Sequence, residues 1–147
     1  MISRRDMVVA AIALGVALSG RAAVDEATKL IGPSAYDWTK IAAQKTDVGE
    51  LRSFFRGPTA TLQELELHVT SLNPSKESHP PHKHPNEEMI IVREGTVEAL
   101  VDGKWTRLGP GSVIFNASNV LHGIRNVGET PATYHVINWK TDRTPKE

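Results

Sequence analysis

From about residue 50 onward, apolar and polar positions alternate in short runs that predict β-strands. The clearest run is segment 61–72, in which leucines and a valine alternate with charged and polar residues, as in a strand with one buried face. Glycine, proline and asparagine interrupt the runs about every 10 residues, which is typical of an all-β sandwich or barrel. The predicted strands span 50–56, 61–72, 88–93, 96–101, 104–108, 113–115, 121–126 and 132–139.

These eight short strands leave little room for a long helix, so the predicted fold class is all-β, a small antiparallel β-barrel or jelly roll. Asp102-Gly103, between two of the runs, is the strongest β-hairpin signal in the chain. Residues 23–49 lack this alternation and form a predicted N-terminal arm, whose fold the pattern leaves open. The barrel domain is predicted over 50–140, with a C-terminal tail at 141–147.

The first 22 residues have a different pattern, which predicts an export signal. Arg4 and Arg5 precede an apolar run over 7–18, and small residues follow at 20–22, where a signal peptidase would cleave. The stretch "SRRDMVV" is similar to a twin-arginine signal. An ordinary secretory signal and an uncleaved anchor are the alternatives. We therefore expect an exported protein, periplasmic or secreted, without stable membrane insertion after processing.

Charge and cysteine content restrict the partners and the chemistry. The chain has 17 basic and 17 acidic residues, and cleavage after Ala22 would leave 14 and 16, a net charge near −2. This balance is not the footprint of a protein that binds nucleic acid or an anionic membrane surface. With no cysteine in the chain, any metal site must use nitrogen and oxygen ligands.

The segment "HPPHKHPNEE", residues 79–88, holds half of the six histidines. In an extended strand His82, His84 and Glu88 would share one face, and the prolines argue against a helix. Two imidazoles and a carboxylate suit a divalent first-row metal. His122, in a distant strand-like run, is the best candidate for a fourth ligand. The simpler alternative is a solvated, proline-stiffened loop.

These residues also carry a family resemblance, which extends over about residues 60 to 140. His82, His84, Glu88 and Gly95 are similar to the first cupin motif, and Gly111, His122 and Asn126 to the second. Three positions depart from the pattern: Lys76 and Asn119 stand where glycine is usual, and Ala117 stands where proline is usual. Asn119 can still adopt the left-handed conformation that the missing glycine would supply.

The resemblance implies a cupin-type antiparallel β-barrel, or double-stranded jelly roll, that forms a homodimer. It also implies one divalent transition metal (Mn, Fe, Ni or Zn) held by His82, His84, Glu88 and His122. Glu88 is the candidate catalytic residue, as a ligand or as a base. The expected partner is a small-molecule substrate or ligand.

The sequence also gives expectations for whether four further polar residues line the cavity. His68 is predicted at the surface, on the polar face of its strand, and Gln63 on the opposite face could reach the cavity. His79 is expected to be an exposed bystander that could also gate the cavity. His135 would line the cavity only if its parity is inward.

The sequence thus supports a metal-dependent enzyme acting on a small oxygen-rich molecule, with oxygenase or lyase chemistry at a centre of three histidines and one glutamate. The alternatives are a sugar isomerase or epimerase, and a non-catalytic module that binds a metal or a small molecule. Fold and ligand set do not decide between these reactions.

Overall fold

Nine β-strands and one short 3-10 helix make up the regular structure of residues 29–146, the part of the chain that this computed structural model describes. The predicted signal segment 1–22 lies outside these residues. No helix within 29–146 is long and apolar enough to cross a membrane. The elements are the helix Trp38–Lys40 and the strands β1 (Gln44–Thr46), β2 (Gly49–Gly57), β3 (Glu64–Leu72), β4 (Glu87–Glu94), β5 (Val97–Val101), β6 (Lys104–Leu108), β7 (Val113–Asn116), β8 (Gly123–Asn126) and β9 (Ala132–Lys140).

The strands form two antiparallel sheets, which confirms the predicted all-β class. The larger sheet has the order β1-β2-β3-β9-β4-β7, and the smaller one β6-β5-β8. All eight predicted strands are present as β2 to β9. The hairpin between β5 and β6 is also confirmed, with Asp102 and Gly103 at φ 48° and 74°, the positive values that a tight hairpin turn requires.

The inward face of the larger sheet changes from polar to apolar along the barrel. In β3, β9, β4 and β7 the inward residues that pair across neighbouring strands form rows. One row is polar, and the next combines a histidine with three aliphatic residues. The apolar end of the barrel holds the core, which includes Leu72, Val92, Val97 and Ala132. The polar row is Glu66, Asn138, Glu88 and Asn116, and the next is His68, Val136, Ile90 and Ile114.

The two faces of β3 are oriented opposite to the expectation from the sequence. The alternation was predicted correctly, but the polar face with His68 and Thr70 lines the barrel cavity, and the leucine face points outward. Gln63 is exposed and does not line that cavity. The leucine face belongs to an apolar outer surface, which also includes Val113 (58% exposed) and Phe115 (51% exposed).

Residues 29–41 cover part of this outer surface. The Trp38 ring lies between the guanidinium groups of Arg52 and Arg93, 4.8 and 4.7 Å from its centroid. Tyr36 packs against Phe55 with a centroid separation of 5.4 Å. The segment, whose fold the sequence pattern left open, therefore packs against the folded unit.

Two residues of the cupin-like motifs stabilise the apolar end of the barrel. Gly95 has φ 82°, and a Cβ atom there would lie 2.6 Å from the Cα atom of Ala132, so only glycine fits. The Asn126 side chain is buried and makes three hydrogen bonds: it donates to the carbonyls of Leu72 (2.9 Å) and Thr130 (2.8 Å) and accepts from the Gly128 amide (2.9 Å).

Candidate metal centre

Backbone hydrogen bonds between two distant segments bring the predicted histidines together. His82 and His122 form an isolated antiparallel bridge, in which each amide donates to the other's carbonyl at 3.0 and 2.9 Å. The Asn119 amide donates to the His84 carbonyl at 2.8 Å. Asn119 makes this contact with φ 58°, the left-handed conformation expected where glycine is usual. Residues 82–84 are thus held on the segment that carries His122.

This arrangement differs from the continuous strand that parity assumed. Residues 83–86 have no regular structure, and β4 begins only at Glu87. Pro81 and Pro85 have no amide hydrogen to donate to a strand ladder, which accounts for the interruption. The histidines converge through the bridge and the loop.

The three imidazoles form one group. The ligand atoms of His82, His84 and His122 all lie within 4.8 Å of one another, which is close enough for one metal ion. The His122 ring centroid lies 4.6 Å from that of His82 and 4.8 Å from that of His84. A His82/His84/His122 group can therefore hold a metal, as the sequence predicted.

Carbonyl contacts set the tautomers of two of these rings. The Nδ1 atom of His84 lies 3.0 Å from the Asn86 carbonyl, and that of His122 lies 2.8 Å from the Val120 carbonyl. Because a carbonyl oxygen only accepts, Nδ1 carries the proton in the neutral form of each ring, and the lone pair is then on Nε2. The Nε2 atom of His122 is buried and has no hydrogen-bond partner within residues 29–146. These are the orientation and protonation that a metal ligand requires.

Glu88 lies beside the histidines on β4 and is 8% exposed. Its Oε2 atom is 3.7 Å from His84 Nε2, and its Oε1 atom is 3.8 Å from His122 Nε2. The Asn116 side-chain amide donates to Oε1 at 2.8 Å and fixes the carboxylate. Glu88 is not part of the group of three histidines, but its carboxylate lies beside the nitrogens of His84 and His122. Nitrogen and oxygen donors of this kind fit Mn, Fe, Ni or Zn.

The environment of His82 favours its neutral form. Burial lowers the pKa of His82 to about 4, and the neighbouring rings of His79, His122 and His84 act in the same direction, against the opposing effect of Glu88. A neutral imidazole is the form that binds a metal. His79 is exposed, as expected, but its ring contacts that of His82 at a centroid distance of 4.1 Å and lines the cavity, so it is not a bystander.

The candidate metal centre lines a cavity of about 420 Å³ inside the barrel. Apolar parts of its wall come from Leu51, Ile90, Ile124 and Val136. The lining also includes polar residues that sequence reasoning missed: Glu50, His68, Thr70, Ser78, Tyr134 and Asn138.

His68 and His135 show how strand parity separates lining residues from outer ones. His68 lines the cavity, and its Nδ1 atom lies 3.0 Å from the Glu66 carboxylate, which holds the ring in place. His135 does not line the cavity, and it pairs with Val69 and Ile91 on the outer face. Parity could have identified His68 had the inward face of β3 been assigned correctly.

Comparison with known proteins agrees with this geometry. The family model described as "Cupin domain" matches residues 68–138, which include all four predicted metal ligands. The matched stretch is just under half of the chain, and it is similar to a cupin domain. The cupin fold that the motifs implied is confirmed by solved structures. An RmlC-like cupin from Shewanella frigidimarina superposes with a TM-score of 0.62 at 17% identity, covering 76% of this chain and 95% of that one.

A solved structure and a curated protein that are similar to this chain carry functional descriptions of their own. The polyketide cyclase RemF from Streptomyces resistomycificus superposes with a TM-score of 0.58 at 20% identity, covering 74% of this chain and 80% of that one. The HTH-type transcriptional regulator SutR from Escherichia coli is 28% identical over 105 residues, 71% of this chain and 55% of SutR. The chain thus spans about half the length of this curated relative.

Proposed function

We propose that this protein is a metal-dependent cupin enzyme that acts on a small oxygen-rich molecule by oxygenase or lyase chemistry. One observation carries the proposal: His82, His84 and His122 converge on a cavity of about 420 Å³ that Glu88 also lines. Nitrogen atoms of His82 and His122 there have no hydrogen-bond partner within residues 29–146. When bound, the metal supplies a Lewis acid that polarises an oxygen of the substrate.

The residues around the metal position orient the ligands, accept a proton and exclude water. The carbonyl contacts of His84 and His122 hold both rings with Nε2 towards the metal position. Glu88 Oε1 is occupied by the Asn116 amide, so Oε2 is the oxygen that is free to accept a proton from a bound molecule. The aliphatic walls exclude water from the reacting atoms and strengthen the electrostatic interactions there.

A non-catalytic ligand-binding module is the second candidate, and the similarity to SutR supports it. In this alternative the same cavity and metal would bind a small molecule without turning it over. The two proposals agree on the metal ligands and differ only in whether bound substrate is converted.

The metal site is tested by measuring the metal content of the purified protein by mass spectrometry. Paired replacement of His82 and His84 with Ala should abolish bound metal, because two of the three nitrogen ligands are lost. His135→Ala, which removes a histidine from the outer face, is the matched control and should retain metal. Stoichiometric metal in the double variant would show that the site assignment is wrong.

Turnover separates the enzyme from the binding module. Protein loaded with Mn, Fe, Ni or Zn is incubated with panels of diketones, flavonols and oxalate, and both oxygen consumption and product formation are followed. Conversion that disappears in Glu88→Gln while metal remains bound would support the enzyme and the proposed base. Tight binding of a panel member without conversion under any metal would favour the module.

We also propose export through the twin-arginine route. The support is the sequence "SRRDMVV" and the presence of a metal site, since that route suits proteins that fold and load cofactors before crossing the membrane. Changing Arg4 and Arg5 to Lys should leave precursor in the cytoplasm. Normal export of that variant would exclude this route.

A further inference from the structure

Tyr134 places a hydroxyl group inside the cavity without a hydrogen-bond partner. Its side chain is 1% exposed, and its ring belongs to the hydrophobic core, which fixes the position of the hydroxyl. Within residues 29–146 the hydroxyl makes no hydrogen bond of normal geometry, although the Ser78 and Thr70 hydroxyls are near enough to affect its pKa. A buried polar group without a partner is destabilising and is rare unless a ligand or a water molecule satisfies it.

Two more hydroxyls accompany that of Tyr134. Ser78 and Thr70 lie next to the Tyr134 hydroxyl and both line the cavity. The Ser78 hydroxyl is also buried without a partner. Burial raises the pKa of Tyr134 far above its usual value, and Glu88 raises it further. Hydrogen bonding to the Ser78 and Thr70 hydroxyls has a smaller effect and lowers it. Tyr134 therefore remains a protonated donor at physiological pH.

The backbone of Tyr134 and that of the candidate metal centre lie at different positions along the barrel, although Glu88 is still near enough to raise the pKa of Tyr134. Tyr134 is four residues from Asn138 on β9, and Asn138 shares its register row with Glu88. Four residues of a strand span about 13 Å between Cα atoms. The wall of the same cavity includes the aliphatic side chains of Ile90, Ile124 and Val136.

The charges of the lining restrict what the hydroxyl group can bind. Within residues 29–146, no lysine or arginine lines the cavity, whereas Glu50 and Glu88 do. A carboxylate or phosphate placed near Tyr134 would lose its hydration without gaining an opposite charge. An uncharged oxygen, such as a ketone, needs only the hydroxyl donor.

We propose that Tyr134, with Ser78 and Thr70, forms a second subsite that binds an uncharged distal oxygen of the molecule held at the metal centre. The inference rests on the proposed function and narrows its substrate class. The substrate carries oxygens for the metal at one end, an aliphatic middle and an uncharged hydrogen-bond acceptor at the other end. Tyr134 is here a binding residue and takes no part in the bond changes.

The test uses hydroxamates, which chelate a metal through two oxygens. Cobalt(II)-loaded protein is titrated with linear hydroxamates of two to five carbons beyond the chelating group, ending in a methyl group, a methyl ketone or a carboxylate. The visible absorption of cobalt reports binding. At the best length, the ketone should bind about three- to tenfold more tightly than the methyl compound, which is the contribution of one neutral hydrogen bond. The carboxylate should show no such gain.

Tyr134→Phe keeps the ring and removes only the hydroxyl, so the preference for the ketone should disappear. The matched control is Tyr36→Phe, which alters the other tyrosine of the chain, 41% exposed and outside the cavity lining. It should keep the preference.

Equal binding of ketone and methyl compounds by the unmodified protein would overturn the subsite and would favour a buried water at Tyr134, leaving the proposed function intact. A preference that survives in Tyr134→Phe would overturn it as well. Failure of every hydroxamate to bind cobalt-loaded protein would instead contradict the open metal centre, and with it the proposed function.

Discussion

The contact between Asn116 and Glu88 yields a quantitative prediction about the charge of the candidate metal centre. In Asn116→Asp, a carboxylate replaces the amide that lies 2.8 Å from Glu88 Oε1. Both side chains are buried, at 6% and 8% exposed, so water screens them poorly. At an effective dielectric constant of about 20, two unit charges at this distance repel by about 6 kcal/mol. One of the two carboxyls should therefore keep its proton.

This retained proton makes the stability of the variant depend on pH. The folded variant binds one proton more than the unfolded chain, so its free energy of unfolding falls as pH rises, by up to about 1.4 kcal/mol per pH unit. Close carboxylate pairs separate their two titrations by about 3 pH units. The loss should therefore begin near pH 4, continue through pH 7 and total about 4 kcal/mol.

The assay is urea unfolding of metal-free protein at pH 5, 6 and 7, because a bound cation would neutralise the pair. The difference in unfolding free energy between wild type and Asn116→Asp should grow with each pH step. Asn116→Leu loses one hydrogen bond to a charged acceptor, about 1.5–3 kcal/mol, and its difference should vary less with pH than that of Asn116→Asp, because no second carboxyl is added. Asn73→Asp adds a charge at an exposed position and should leave the free energy of unfolding unchanged. A pH-independent difference for Asn116→Asp would refute the reasoning.

Three further predictions concern stability and assembly. Asn126→Ala removes three buried hydrogen bonds and should lower the free energy of unfolding by about 3 kcal/mol in urea, whereas Asn73→Ala should change it little. Burial, aided by Arg93, lowers the pKa of His135 below 6.5, so its protonation favours the unfolded chain as pH falls below that value. His135→Gln should therefore flatten the acid limb of stability against pH, and an unchanged limb would contradict this. Phe115→Glu should disrupt the proposed homodimer in sedimentation velocity if the exposed outer face is the interface, whereas Val101→Glu, on the smaller sheet, should not.

The strands could be predicted from the sequence because their alternation is local and glycine, proline and asparagine mark their ends. The exception is β1, Gln44–Thr46, in which all three residues are polar and exposed. A strand at the edge of a sheet that buries neither face has no hydrophobic period to detect. Its position is set by backbone pairing with β2, which single-sequence patterns do not reveal.

The metal ligands were predicted by residue type and by resemblance, and the structural reason offered for them was only partly right. Side-chain parity placed His82, His84 and Glu88 on one strand face, whereas the structure joins them through a bridge to His122 and an irregular loop. The three histidines nevertheless converge, because several backbone paths can bring the same donor atoms together. The tautomers, set by the carbonyls of Asn86 and Val120, depend on loop geometry that the sequence does not show.

The error over β3 follows from a limit of period-2 patterns. Alternation shows which residues share a face but not which face is inward, and the usual rule assigns the apolar face to the core. In this barrel the rule fails over part of β3, because the interior there is a polar cavity and the outer face is an apolar surface. His68 and Thr70 were therefore placed outside, and Gln63 was considered for the cavity.

The unpaired polar atoms of the interior give an independent indication that this cavity is a binding site. Of the buried side-chain atoms without a partner in residues 29–146, five belong to residues that line it: Ser78, His82, His122, Tyr134 and Asn138. Each such atom lowers stability by about 1–3 kcal/mol while unpaired. At the other end of the barrel, the buried Asn126 side chain is paired by three hydrogen bonds. Local violations of this kind are expected at functional sites, where a bound metal and ligand would pair the same atoms.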